Sequence, residues 1–153
     1  MMFRREVFID LKGFDEEFWM YYEDVDICLR ARNAGGKIAF FNNIVIEHKH
    51  GGSSRADMRT TSVTKCEVQA SRHLYVHNNF RGFKRIILQV FITADNIVTG
   101  ILAGVFGLIF FFIPKLFVRL LIFLKLINYY TGALLRGSWI SPRSVIYLKA
   151  PSE

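Results

Sequence analysis

The sequence predicts an α/β domain followed by apolar, membrane-associated helices. Three observations predict it. A helical segment stopped by Gly35-Gly36 is followed by two short β-prone runs, KIAFF and IVIEH, around Asn42-Asn43. Residues Ile97 to Pro114 form an eighteen-residue run without a charge. Charge divides in the same region: residues 1–84 hold 13 Lys/Arg and 11 Asp/Glu, whereas residues 85–153 hold 7 Lys/Arg and only Asp95 and Glu153 as acids. The chain therefore reads as a polar part at 1–84, an apolar helical region at 85–130 and a tail at 131–153.

In chain order, Val7, Phe8 and Leu11 recur at helical spacing, so a short helix is expected over Phe3–Leu11, ended by Gly13. Asp15 to Tyr22 is ambiguous, a loop with a helical turn. A second helix should open at Glu23 or Asp24 and run to about Ala34, with Val25, Cys28 and Leu29 as its apolar stripe. Asp26 and Arg30 are four apart and can pair on its outer side. The strands KIAFF and IVIEH follow, with His48 at the end of the second. GGSSR is a flexible loop that can bring backbone N–H groups close to a ligand. Thr60 to Asn78 is a further helical segment, and Arg81, Lys84 and Arg85 form a basic border.

The apolar region has two pieces divided by Pro114. An eighteen-residue helix is slightly short for a ~30 Å hydrocarbon core, though within the usual range of ~17–25 residues. KLFVRLLIFLKLINYY is a second membrane segment or a helix lying in the interface, where Lys115, Arg119 and Lys125 can snorkel. Tyr129 and Tyr130 suit a headgroup level. The competing reading is a helical hairpin buried inside a globular protein, for which a 153-residue chain offers little covering protein.

A net charge of +7 and 52 % hydrophobic residues favour an anionic membrane surface over nucleic acid, because the basic residues are scattered between long apolar runs. Cys28 and Cys66 belong to no CxxC pair, so neither a zinc ribbon nor a redox motif is expected. A reducing setting is the simpler reading. MMFRREVFIDLKGF turns charged too soon for a signal peptide.

Against this basic background, Gly13 to Asp26 concentrates Asp15, Glu16, Glu17, Glu23, Asp24 and Asp26 beside Phe14, Phe18, Trp19, Tyr21 and Tyr22. Free N–H groups at a helix start attract acids, which accounts for part of the cluster. A working carboxylate site is the sharper reading, since a metal-dependent transferase acting on a phosphorylated donor needs such groups. A carboxylate can take the proton of an attacking hydroxyl, and aromatic rings suit the apolar faces of sugars. A metal ion held by carboxylates and imidazole can take up charge on a departing diphosphate.

GFDEEFWMYYEDVDICLRARNAGGKIAFFNNIVIEHKHGGSS resembles the closing half of the catalytic domain of family 2 glycosyltransferases, closest to the rhamnosyltransferase-like and galactofuranosyltransferase-like enzymes. The resemblance rests on Gly-Phe-Asp-Glu, an aromatic stretch, Glu-Asp-x-Asp, an Arg four residues on, a glycine and a His-x-x-Gly-x-Ser element. Ile27 stands where the family usually has Leu. It implies a GT-A fold, with residues 1–84 a partial catalytic domain on the acceptor side. It further implies Asp24 as the base, Asp15, Glu16, Trp19 and Glu23 at the acceptor, Ser53 at the donor diphosphate, and His48 as a metal ligand. The implied cofactor is a divalent metal, Mn²⁺ or Mg²⁺. Asp26 and Arg30 are similar to helix-framing residues. The family's nucleotide-binding half, with its Asp-x-Asp metal motif, has no counterpart in this sequence, so the chain is expected to be truncated before that half and incomplete alone.

The expected function is inverting transfer of a sugar from a nucleotide-sugar donor to a saccharide or lipid-linked acceptor at a membrane, with the catalytic part on the cytoplasmic side. A partner chain is expected to supply the N-terminal half. The alternative is a non-catalytic, membrane-anchored remnant or accessory subunit of a split glycosyltransferase.

Overall fold

A computed structural model describes residues 1–47 and 57–149. These residues form six helices: α1 Arg5–Asp10, α2 Glu23–Asn33, α3 Met58–Asn79, α4 Gly82–Ile109, α5 Pro114–Arg136 and α6 Val145–Lys149. There is no strand among the described residues, which overturns the α/β expectation and leaves no GT-A sheet. Asn42-Asn43 does form a turn. Its flanks do not pair, because an isolated two-stranded ribbon needs a third strand or a helix to cover one face. Here every residue from 37 to 47 is exposed, and Phe40 reaches 92 %.

The helix boundaries follow local chemistry. α1 ends in a Schellman arrangement: Gly13 N–H donates to the Phe8 carbonyl at 2.9 Å, and Lys12 N–H to Ile9 at 2.8 Å. α2 ends the same way, with Gly36 N–H on the Ala31 carbonyl at 2.9 Å and Gly35 N–H on Arg32 at 3.0 Å. Gly35 has φ of +83°, so the Gly-Gly stop acts as expected. The Asp57 carboxylate caps α3, accepting from Thr60 N–H at 2.8 Å, which holds the Asp57 carboxyl below its ordinary range. Pro114 occupies the first turn of α5, where its missing N–H costs nothing.

α4 and α5 pack side by side as a hairpin, and α3 lies against both, more extensively against α5. The core sits at the α3–α5 junction, where Cys66 and Ala70 meet Leu126, Tyr129 and Ala133, with Trp139 of the tail against them. Small residues let the hairpin close. A Cβ placed on Gly107 would lie 2.5 Å from the Leu116 carbonyl oxygen, and one on Gly104 would lie 3.3 Å from the Phe123 ring.

A chain of polar contacts ties the three long helices together. Asn96 Nδ2 donates to the Tyr130 hydroxyl at 2.8 Å, and that hydroxyl meets His73 Nε2 at 2.9 Å. His73 Nδ1 faces the Gln89 carbonyl oxygen, and Gln89 Nε2 donates back to the His73 backbone carbonyl at 2.8 Å. Because Gln89 Nε2 is used on the His73 carbonyl, its Oε1 accepts from His73 Nδ1–H, and a neutral imidazole then accepts from the Tyr130 hydroxyl at Nε2. His73 is fully buried and stacks on Trp139 at 4.5 Å. Burial holds its pKa below the ordinary histidine value, against the opposing hydrogen bond that Nδ1–H donates to Gln89 Oε1. Tyr129 donates to the Trp139 carbonyl at 2.7 Å. Both tyrosines expected at a headgroup level therefore turn inward, because their hydroxyls find partners there.

Beyond the part covered by α3, the hairpin is bare. α4 and α5 are each long and apolar enough to cross a membrane, with mean hydropathy 1.8 and 1.4 over their most apolar stretches. Only 11 % and 17 % of those stretches are buried within the protein. The described residues do not seal the hairpin inside a globular core, and its exposed apolar side chains are compatible with membrane association.

Candidate functional site

The acidic stretch is folded around one arginine. Arg30 Nε pairs with Asp26 Oδ2 at 2.6 Å. Its two terminal nitrogens reach back to the Leu11 carbonyl at 2.5 Å and the Gly13 carbonyl at 2.9 Å. This fork fastens the turn after α1 to α2. The expected pair exists, but not on the outer side: Asp26 is only 4 % exposed. Ile27 and Ala31 are buried with it, while Val25 is exposed. The buried face of α2 is thus rotated from the apolar stripe expected, because satisfying the Arg30 fork outweighs burying Val25.

Tyr21 and Tyr22 precede α2 with φ of +64° and +69°. Left-handed backbone is uncommon for bulky residues and costs on the order of 1–3 kcal/mol at each position. Tyr22 stands at the N-cap position without a side-chain cap, and its ring packs on Tyr75 at 5.5 Å. The reversal sorts the three acids that follow. Asp26 points inward to Arg30. Glu23 is half-buried, and its Oε2 is shielded from solvent without a hydrogen-bond partner among the described residues. Asp24 is exposed, with Oδ1 accepting from the Val25 N–H at 2.9 Å. Asp24 does not cap α2, since it lies inside the first turn.

The Gly-Phe-Asp-Glu loop is stitched to distant parts of the chain. Asp15 Oδ1 accepts from Glu17 N–H at 2.9 Å, closing a local turn. Both carboxylate oxygens of Glu16 receive Lys149 Nζ at 2.8 Å, and its carbonyl accepts from Ser144 Oγ at 2.6 Å. Glu17 Oε2 accepts from Asn78 at 3.0 Å, and the Met20 carbonyl from Ser71 at 2.8 Å. Asp15, Glu16 and Arg30 line a shallow cleft of ≈ 410 Å³. Trp19 lines a different one of ≈ 520 Å³ with Asp57, Arg59 and Thr60. Asp24 lines neither. The Lys149 and Ser144 contacts have no signal in the sequence, being more than a hundred residues from Glu16. Arg30 did have one, in its spacing from Asp26.

His48 and Ser53, expected at the metal and the donor, lie outside the described residues. Among the described residues, no group of three or more His, Cys, Asp or Glu side chains is placed to hold a metal ion. The acids that crowd together in sequence are turned apart by the Tyr21-Tyr22 reversal and the Arg30 fork. The described residues therefore do not by themselves fit the expected divalent cation.

Residues 1–51 match a family model described as the N-terminal domain of galactosyltransferase. The matched segment spans α1, the Gly-Phe-Asp-Glu loop, the tyrosine pair and α2, so the acid-bearing part of this chain is similar to a glycosyltransferase domain. Comparison with curated proteins and with solved structures gives no match.

Proposed function

We propose that this chain is a membrane-associated glycosyltransferase polypeptide in which Asp24 is the general base. The reaction is inverting transfer, of the family 2 kind, from a nucleotide-sugar donor to a saccharide or lipid-linked acceptor. The observation that carries the reading is the sorting of the three acids within the glycosyltransferase-related segment: Asp24 alone of Glu23, Asp24 and Asp26 offers an exposed carboxylate at the helix start. In the proposed step the acceptor oxygen bonds to the anomeric carbon, the bond to the donor diphosphate breaks, and Asp24 takes the hydroxyl proton. Trp19 and Tyr21 offer ring faces for the acceptor sugar. Donor contacts, and any divalent cation, belong to a further element acting in cis or from a partner chain. The acid-bearing part faces the cytoplasm in this reading, because Arg81, Lys84 and Arg85 flank the start of α4.

The test is turnover of nucleotide-sugar donors by the chain together with a donor-binding partner. Asp24→Asn should lower kcat by ~10²–10⁴-fold while leaving the thermal melt unchanged, as the side chain makes a single local contact. If Asp24→Asn keeps near-full kcat while Glu23→Gln or Asp15→Asn abolishes it, the base is another carboxylate. A second reading, a non-catalytic accessory subunit, draws support from the engagement of Glu16 by Lys149, which occupies an expected acceptor carboxylate. Wild-type inactivity toward every donor, with complementation present, would favour it.

A further inference from the structure

A pocket of ≈ 290 Å³ lies where α3, the second half of α5 and the tail converge, away from the Glu-Asp helix start. Three cations line it: Lys125 and Arg136 from α5, and Arg143 from the tail. Glu67 of α3, only 2 % exposed, also lines it. Its Oε1 accepts from Arg143 Nη1 at 2.9 Å, while its Oε2 is buried with no hydrogen-bond partner among the described residues. A buried carboxylate oxygen without a donor is costly, so this atom marks a place for a donor group. With three positive groups and one negative, the pocket has a net charge of +2, suited to a phosphate. Gly132 gives the Arg136 guanidinium room to fold over α5, since a Cβ there would lie 2.8 Å from Nη1.

The rim shows where such a ligand comes from. Leu135 lines the pocket and is 88 % exposed, and Leu134 beside it is equally bare. Both lie on α5, whose apolar surface continues from the hairpin. We propose that this pocket binds the phosphate headgroup of an anionic membrane lipid. Lys125, Arg136 and Arg143 neutralise the phosphate, Glu67 Oε2 accepts from a headgroup hydroxyl, and the acyl chains run along Leu135 toward the hairpin. The site rests on membrane association of α4 and α5, not on sugar transfer.

The test titrates the full chain in neutral detergent with short-chain phosphatidylglycerol, short-chain phosphatidylcholine and inorganic phosphate. Saturable one-to-one binding is expected for phosphatidylglycerol only. Arg136→Gln and Lys125→Gln should each weaken it by about fivefold or more, the effect of one basic charge near a lipid surface. Lys84→Gln, which alters a cation outside the pocket, should leave it unchanged. An equal loss for Lys84→Gln would show diffuse attraction and overturn the site. Equal binding of inorganic phosphate would overturn the lipid assignment. Flotation with phosphatidylcholine vesicles tests membrane association separately, so its failure is distinguishable from failure of the pocket.

Discussion

Arg30→Met should strip stability from the acid-bearing segment more than any other single exposed or half-exposed charge change. The substitution keeps a long side chain over the same ground but removes three charge-assisted hydrogen bonds: to Asp26, to the Leu11 carbonyl and to the Gly13 carbonyl. Asp26, at 4 % exposure, is left as a buried carboxylate without its cation. Removing one partner of a buried pair costs about 3–5 kcal/mol. The lower end applies here, because the Arg30 side chain keeps some contact with water. At about 2–4 °C per kcal/mol for a chain of this size, a loss of about 3 kcal/mol lowers Tm by about 6–12 °C. The assay is thermal melting followed by circular dichroism in detergent. Asp26→Asn combined with Arg30→Met should recover part of the loss, because no unpaired charge remains. A single variant melting within about 1 °C of the wild type, well inside the shift expected for a broken buried pair, would refute the reasoning: the fork would then be a solvated surface pair of little worth.

Further outcomes follow from other parts of the fold. Gly107→Ala should destabilise the hairpin by about 1–3 kcal/mol, read by the same melt, because its Cβ meets the Leu116 backbone oxygen rather than a movable side chain. Gly82→Ala is not the matching control for space alone, since Gly82 has φ of +57° and nothing within 4 Å. The neutral His73 makes stability pH-dependent. Its folded pKa lies below the unfolded value of about 6.5, so the unfolded chain binds the extra proton first. Its contribution is complete above pH ~6.5 and declines as pH falls through the window below that value. The difference in Tm between wild type and His73→Gln should therefore shrink from pH 7.5 to pH 5, and a constant difference would place the imidazole in contact with water. Cys66, whose thiol is pushed up to about 12 chiefly by burial, should resist maleimide at pH 8, while half-buried Cys28 reacts. Mass mapping of the labelled peptides checks this.

Local chemistry determined much of the helical frame. The Gly35-Gly36 stop, the start of α2 at Glu23, the helix through Thr60–Asn78 and the break at Pro114 were legible because each depends on residues within a turn of one another. The apolar run Ile97–Pro114 likewise carried its meaning in composition alone. So did the order of Gly-Phe-Asp-Glu and Glu-Asp-x-Asp, in which the resemblance to glycosyltransferases lies.

Tertiary structure decided what those residues face. KIAFF and IVIEH have strand-forming composition, yet residues 37–47 stay unpaired, because a strand exists only where another surface supplies its hydrogen bonds and covers its side chains. Asp26 reads as an outward acid by helical spacing and is buried, because the Arg30 fork reaches back to carbonyls that lie 17 and 19 residues away. Tyr129 and Tyr130 read as interface residues and turn inward to Trp139, His73 and Asn96. Glu16 met Lys149, and Glu67 met Arg143, across 133 and 76 residues. Pattern in a sequence reports which faces of an element can be buried. Which polar groups go in with them depends on partners that only folding brings within reach.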